Sequence, residues 1–324
     1  MKKVCMIGSG AFGTAISSLL ADNGFEVNIW CHDPYVAESV AKRRCNELYL
    51  PDTKLSKHIR PFTDLAGALE KVTWVFEATP VPFLRSVLQN VEPYFLEDQV
   101  WVMLSKGIEN KTLFFPSQII DSVFNKNVKK AVLSGPSFAK EIVLKKLTAV
   151  NIASEDKSIA EELKKMLENN YFKTKIISDI LGAQIGGALK NIIAIAVGIL
   201  DGAGYTDNTK SFLLTTGLSE MVAFAHILGA EKDTMYDLAG LGDLVLTCTG
   251  SLSRNLMVGR HLGLGEKLDD IVKKTGVVPE GVNTSKSVYE MIQKNEIHLP
   301  VFASVYGIIF GEKTVADLIG ALHL

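Results

Sequence analysis

Only four cysteines occur, Cys5, Cys31, Cys45 and Cys248, and no two are close enough to form a C-x-x-C pair. That spacing excludes a disulfide framework and a cysteine zinc site and points to a reducing compartment, the cytoplasm. Each thiol reads as a small buried filler. The six histidines also lack ligand spacing, so no metal is expected. Nor is there an excess of either charge: 34 Lys and Arg stand against 36 Asp and Glu, a net charge of −2. A nucleic-acid binder needs a basic excess and is excluded, whereas phosphates on a small ligand need only one or two local cations. No internal repeat, low-complexity tract or flexible linker breaks the chain. No secretory leader is expected either, because Gly8, Gly10 and Gly13 interrupt the uncharged stretch after the first lysines.

What remains is the composition of an ordinary soluble globular protein, 47% hydrophobic and 22% charged. At roughly 150 residues per domain, 324 residues suggest two domains. Runs rich in Val, Ile and aromatics predict strands near 3–7, 26–30, 73–78, 100–104, 130–133, 148–153 and 173–177. Helical patterns fall at 11–22, 34–44, 82–90, 116–124, 137–145 and 157–168. Strands alternating with helices imply right-handed crossovers and an α/β fold with a doubly wound, mainly parallel sheet of Rossmann type. The closely spaced later strands suggest an antiparallel extension. Beyond residue 178 the spacing is helical throughout. Leu218, Met221, Val222 and Ala225 repeat every three to four residues, Pro300 opens a helix, and Thr314 with Asp317 caps the last one. The expected division is a dinucleotide-binding domain over 1–179 and an all-helical substrate domain over 180–324.

Gly8-x-Gly10-x-x-Gly13 lies between a predicted strand and helix. The first glycine permits a tight turn, the second lets the backbone approach a pyrophosphate, and the third allows close packing at an anion-stabilising helix N-terminus. His32 and Asp33 follow at the end of the second strand, where the adenosine ribose of a dinucleotide would lie. Asp33 suits a ribose hydroxyl and hence NAD. His32, Arg43 or Arg44 suits a 2′-phosphate and hence NADP, and the preference expected is for NADPH with NADH accepted.

A single charge, Lys190, interrupts the apolar stretch 180–200. A membrane span fits poorly, since a central lysine costs about 2.5–3.5 kcal/mol in a bilayer and no second span supports it. A snorkelling core lysine is one alternative. The other is a proton donor whose pKa is lowered by its apolar surroundings, with Gly186 and Gly187 leaving room for ligands and Asp243, if adjacent, opposing the shift. Further on, Ser253-Arg254-Asn255 offers a cation and polar donors suited to phosphate.

"GSGAFGTA", "RCNELYLPD", "SKG", "SGPSFAKE", "GGALKNIIAIAVGILDG", "AGLGDLVLTCTGSLSRN" and "VPEGVNTSK" occur in this order, and together the chain resembles the bacterial NAD(P)-dependent glycerol-3-phosphate dehydrogenases over essentially its whole length. Sister dehydrogenases of the same two-domain plan do not carry the last five motifs together. The resemblance implies reversible reduction of dihydroxyacetone phosphate to sn-glycerol 3-phosphate by NADPH or NADH, feeding phospholipid synthesis, in a cytoplasmic homodimer. It implies Lys190 as acid/base, with Lys106, Gly135, Ser137, Asp243, Ser253, Arg254 and Asn255 holding a small phosphorylated substrate. Gly8, Gly10, Ala11, Phe12, Gly13, His32, Lys106, Ala139, Arg254, Val278 and Glu280 would hold the cofactor. One position departs from the family: Glu77 stands in a predicted buried strand where an aliphatic residue is usual, and a buried carboxylate needs a partner. Two other readings stay open, a related ketone or 2-hydroxyacid dehydrogenase and a non-catalytic dinucleotide sensor. The first has no need of the Ser253 cluster and the second no use for Lys190 with Asp243.

Overall fold

In a computed structural model describing residues 2–276 and 278–322, the apolar run before the glycines forms β1 (Lys3–Ile7). The alternation continues through α1 (Ala11–Asp22), β2 (Glu26–Trp30), α2 (Pro34–Arg43), β3 (Ile59–Phe62), α3 (Leu65–Leu69), β4 (Trp74–Glu77) and α4 (Val81–Val91). It then runs through β5 (Val100–Met103), α5 (Pro116–Phe124), β6 (Lys130–Ser134), α6 (Ala139–Val143), β7 (Thr148–Ala153), α7 (Lys157–Leu167) and β8 (Phe172–Ile177). The sheet order is β3-β2-β1-β4-β5-β6-β7-β8. β6 and β7 pair antiparallel, and the other neighbours pair parallel. The antiparallel extension is thus a single reversal, after which β8 returns to a parallel pairing.

Helices cover both faces of a parallel sheet, so its central strands are apolar on both sides. Val4, Cys5, Met6 and Ile7 of β1 are all buried, and Ala15, Ile16, Leu19 and Leu20 of α1 belong to the same core as Val4 and Met6. The edge strand β8 instead alternates, with Phe172 buried and Lys173 exposed, which blunts the edge against further pairing. The sequence pattern missed β3, because Pro61 lies inside it. At an edge a proline sacrifices no ladder bond when its nitrogen faces away from the neighbouring strand. Strand order reverses between β1 and β4, and ligands in such sheets bind outside the carboxyl ends of the strands at that point.

Two compact units emerge, Met1–Ser105 with Pro116–Ile180, and Lys106–Phe115 with Leu181–Leu324. Residues 106–115 therefore cluster with the second unit, although they lie inside the region read from sequence as the first domain. Ile108 and Phe115 pack into the second unit's core.

That second unit is helical: α8 (Ile180–Gly202), α9 (Asp207–Ile227), α10 (Asp243–Thr249), α11 (Arg254–Gly263), α12 (Leu268–Thr275), α13 (Glu280–Lys294), α14 (Pro300–Phe310) and α15 (Val315–Gly320). α8 is long and apolar enough to cross a bilayer, yet 94% of its most apolar window is buried inside the protein. It is a core helix. Burial this deep requires close neighbours, and α11 supplies one. A Cβ on Gly198 would collide with the Leu256 carbonyl, and one on Gly259 with the Ile195 carbonyl, so the two helices touch backbone to backbone. Glu220 of α9 accepts from the Val301 and Phe302 amides at 2.8 and 3.1 Å, satisfying the start of α14, while burial pushes its carboxyl up to about 7. The Thr314–Asp317 capping box opens α15.

Gly259→Ala should destabilise the helical unit, since overpacking at such a contact costs about 1–3 kcal/mol. The measurement is a thermal melt, with a fall of about 2–4 °C expected per kcal/mol for a unit of this size. An unshifted melt would remove the case for a backbone contact.

Candidate active site

The glycine turn joins β1 to α1. Gly8 has φ +110, and a Cβ there would lie 2.8 Å from the Ala78 carbonyl oxygen, so a side chain is excluded twice over. A Cβ on Gly13 would strike the Gly8 carbonyl. Gly10 differs: among the described residues, a Cβ would meet nothing within 4 Å beyond its own chain neighbours and helix, and no side chain caps the start of α1. Unpaired first-turn amides with nothing standing over them are what a pyrophosphate requires. Thr79 Oγ1, buried next to this turn, also lacks a hydrogen-bond partner among the described residues. The residues present fit a dinucleotide.

A second segment braces the turn. Asn46 is fully buried, and its Nδ2 donates to the Ser9 carbonyl and to Thr14 Oγ1, each at 2.8 Å. Nothing in the motif RCNELYLPD marks Asn46 for this part, since a lone asparagine in a polar loop carries no signal of burial. Ala11 and Phe12 open α1, which packs against α6, and Ala139 opens α6. Ser137 Oγ donates to the Gly135 carbonyl at 2.9 Å. Gly135 has φ +149 and presses on Val150 of β7, so packing alone already demands a glycine there.

β2 stops at Trp30, so His32 and Asp33 lie beyond the strand and its alternation does not set their directions. His32 is exposed, its ring 5.9 Å from that of Trp30. Asp33 is the N-cap of α2 and accepts from the Tyr35 amide at 2.8 Å. Arg44, in the left-handed region, donates to the Ile59 carbonyl at 3.1 Å and serves the fold.

Glu77 ends β4 at the carboxyl edge of the sheet, level with Ile7 and Met103. It is fully buried and does have partners: it accepts from the Thr79 amide and, at 2.6 Å, from Ser105 Oγ. The carboxylate thereby ties together the segments leaving β4 and β5.

The second unit holds the titratable cluster. Asp243, 1% exposed, receives Lys106 Nζ on Oδ2 and Lys190 Nζ on Oδ1, both at 2.5 Å. Lys190, 7% exposed, also donates to Thr247 Oγ1 at 2.9 Å, and that hydroxyl donates to the Asp243 carbonyl at 2.6 Å. Burial is the main influence on Lys190 and lowers its pKa to about 8, against the pull of Asp243 and with the push of Lys106. Burial acts to raise the Asp243 pKa, but the charges of Lys106 and Lys190 outweigh it and hold the carboxyl below its usual range. Thr247 went unremarked in the sequence, though four residues after Asp243 on one helix it shares that residue's face. Packing alone already requires a glycine at 186. A Cβ on it would strike the Ala239 carbonyl in the turn leading to α10.

Ser253 caps α11, accepting from the Leu256 amide at 3.2 Å. Asn255 is held between Asn191 Oδ1, to which it donates at 2.9 Å, and the Gly281 amide, from which it accepts at 3.1 Å. Arg254 at the first position of α11 is exposed. Burial raises the carboxyl of Glu280, while Arg254, then Lys106 and Lys190, pull it down. Val278, 43% exposed, stands two residues before it. The cluster thus joins a helix N-terminus to two lysines that share one aspartate.

Known proteins match the chain from end to end. Residues 3–160 match the family described as NAD-dependent glycerol-3-phosphate dehydrogenase N-terminus, and residues 179–320 match the corresponding C-terminus. Glycerol-3-phosphate dehydrogenase [NAD(P)+] of Bacillus cytotoxicus is 38% identical over 99% of this chain and 95% of its own length. The enzyme of the same name from Bacillus subtilis is 39% identical, over 99% and 94%. The crystal structure of glycerol-3-phosphate dehydrogenase from Coxiella burnetii superposes with a TM-score of 0.93 at 30% identity, covering 99% of this chain and 97% of that one. A ketopantoate reductase from Ralstonia eutropha, at 12% identity and a TM-score of 0.61, shares the fold alone. The chain belongs to the NAD-dependent glycerol-3-phosphate dehydrogenase family.

Proposed function

We propose that the chain catalyses the reversible reduction of dihydroxyacetone phosphate to sn-glycerol 3-phosphate, with NADPH or NADH, supplying glycerophospholipid synthesis. The observation that carries this reading is the buried Lys190 ammonium held on Asp243 and Thr247. When bound, a reduced nicotinamide would supply the hydride for the central carbon of the ketone. The oxygen then becomes an alkoxide and needs a proton, which Lys190 Nζ donates. A pKa near 8 keeps the donor charged near neutrality yet able to release its proton. Lys106, on the other oxygen of Asp243, contributes a fixed positive charge toward the developing alkoxide.

In this reading the substrate phosphate meets Arg254 and the N-terminal amides of α11, where the helix dipole favours an anion. Ser253 and Asn255 act mainly by fixing that terminus, since the Ser253 hydroxyl is the cap and the Asn255 amide is tied to Asn191 and Gly281. Gly135, Ser137, Lys106 and Asp243 complete the substrate contacts. Gly8, Gly10, Ala11, Phe12, Gly13, His32, Ala139, Val278 and Glu280 serve the dinucleotide. The reading includes a cytoplasmic location, in keeping with thiols that are all free, and a homodimer.

An absorbance assay of NAD(P)H oxidation with dihydroxyacetone phosphate tests the whole reading; absence of turnover would overturn it. Lys190→Ala should lower kcat by about 10²–10⁴-fold with dinucleotide affinity retained, and near-normal turnover would remove Lys190 from the chemistry. Ketone reduction needs the ammonium, so its rate should fall as pH rises through about 8, whereas glycerol 3-phosphate oxidation needs the free amine and should gain over the same range. Parallel profiles in both directions would contradict the assignment.

Unphosphorylated dihydroxyacetone should show a kcat/KM lower by about 10⁴-fold, because Arg254 and the helix terminus would be left without their anion. Comparable values for the two ketones would rule out phosphate recognition. For the cofactor, NADPH should be preferred, with the preference reduced in His32→Ala. A clear NADH preference untouched by that substitution would rule out His32 as the reader of the ribose.

A further inference from the structure

Beyond His32, one arginine at the ribose end of the first unit is held in an unusual way. Tyr35, Ser39 and Arg43 are spaced four apart along α2 and therefore share a face. Arg43 runs back along that face, its Cζ lying 5.6 Å from the centre of the Tyr35 ring. Its Nε pairs with Glu47 Oε1 at 2.6 Å, and the Tyr35 hydroxyl donates to Glu47 Oε2 at 2.8 Å. Both oxygens of one carboxylate thus hold the arginine folded over the tyrosine, just beyond the end of β2.

The clamp is fastened to the nucleotide turn. Ser39 Oγ donates to the Cys45 carbonyl at 2.6 Å and accepts from the Glu47 amide at 3.3 Å, seating the loop on α2. Next to Glu47, Asn46 donates to Ser9 within the glycine turn. Asp33 and Arg44 are engaged elsewhere, in the α2 cap and on the Ile59 carbonyl, which leaves Arg43 as the arginine of this group paired only through side chains.

We propose that Arg43 reads the charge on the adenosine ribose, and that a 2′-phosphate binds by replacing the Glu47 carboxylate on the guanidinium, so that Glu47 limits discrimination between the two dinucleotides. This rests on the dinucleotide reading of the glycine turn. The exchange is chemically easy. Arg43 and Glu47 side chains are 49% and 33% exposed, and an exposed ion pair holds its partners weakly. A phosphate offers the guanidinium more charge and the same forked geometry as a carboxylate. A dinucleotide without the 2′-phosphate leaves the clamp closed and binds beside it.

The test is the ratio of kcat/KM for NADPH to that for NADH, with dihydroxyacetone phosphate, in the whole protein and in Glu47→Gln, Arg43→Ala and the double variant. Glu47→Gln should raise the ratio about fivefold, the scale of an exposed pair removed. Arg43→Ala should lower it about tenfold, and adding Glu47→Gln to Arg43→Ala should then change nothing, because the carboxylate acts through the guanidinium. An unmoved ratio in Glu47→Gln overturns the proposal. So does an equal gain in the Arg43→Ala background, which would make Glu47 a simple repulsive charge. Inactivity of the unmodified protein with both cofactors would instead sink the dehydrogenase reading.

Discussion

A buried carboxylate serving two ammonium groups is the constraint on which the helical unit depends. Asp243 is almost wholly removed from water, and a lone charge in that position would cost several kcal/mol. Lys106 and Lys190 offset that cost and leave the trio with a net positive charge. The same desolvation lowers the Lys190 pKa, so the penalty of burial and the readiness to give up a proton have one origin. Thr247 fixes the direction of the ammonium by accepting a hydrogen bond from it.

The glycine turn of the first unit relies on backbone rather than on charge. Its glycines remove side chains where strand, turn and helix approach one another, and the helix terminus supplies the amides. Precision there comes from Asn46, whose amide group spans the turn and the loop at 45–50. Glu77 has a comparable part at the other side of the strand reversal. It ties Ser105 and Thr79, and Ser105 is the residue immediately before Lys106 in the chain. A carboxylate in place of an aliphatic residue therefore converts a packing contact into hydrogen bonds that hold two loop starts.

Several residues chosen for their chemistry turn out to serve the fold as well. Asp33 caps α2, Ser253 caps α11, Arg44 closes on the Ile59 carbonyl, and Gly186 admits the Ala239 carbonyl. Asp, Ser, Arg and Gly are used in both capacities because the same lone pairs, donors and lack of bulk satisfy a backbone or a ligand. Composition cannot separate these uses; hydrogen-bond partners can.

The sequence by itself determined the alternation of strands and helices, the glycine turn and the solitary lysine, since these are local periodicities and local departures from them. It could not reveal β3, because Pro61 erases the strand signal that edge pairing restores. Nor could it show that Lys190 and Lys106, 53 and 137 positions away, each take one oxygen of Asp243. The excursion of residues 106–115 into the helical unit also has no local mark, because it depends on where Ile108 and Phe115 find apolar neighbours. Identity of the groups is a property of the chain, but their protonation and partners follow from burial, and burial is decided only when distant segments pack.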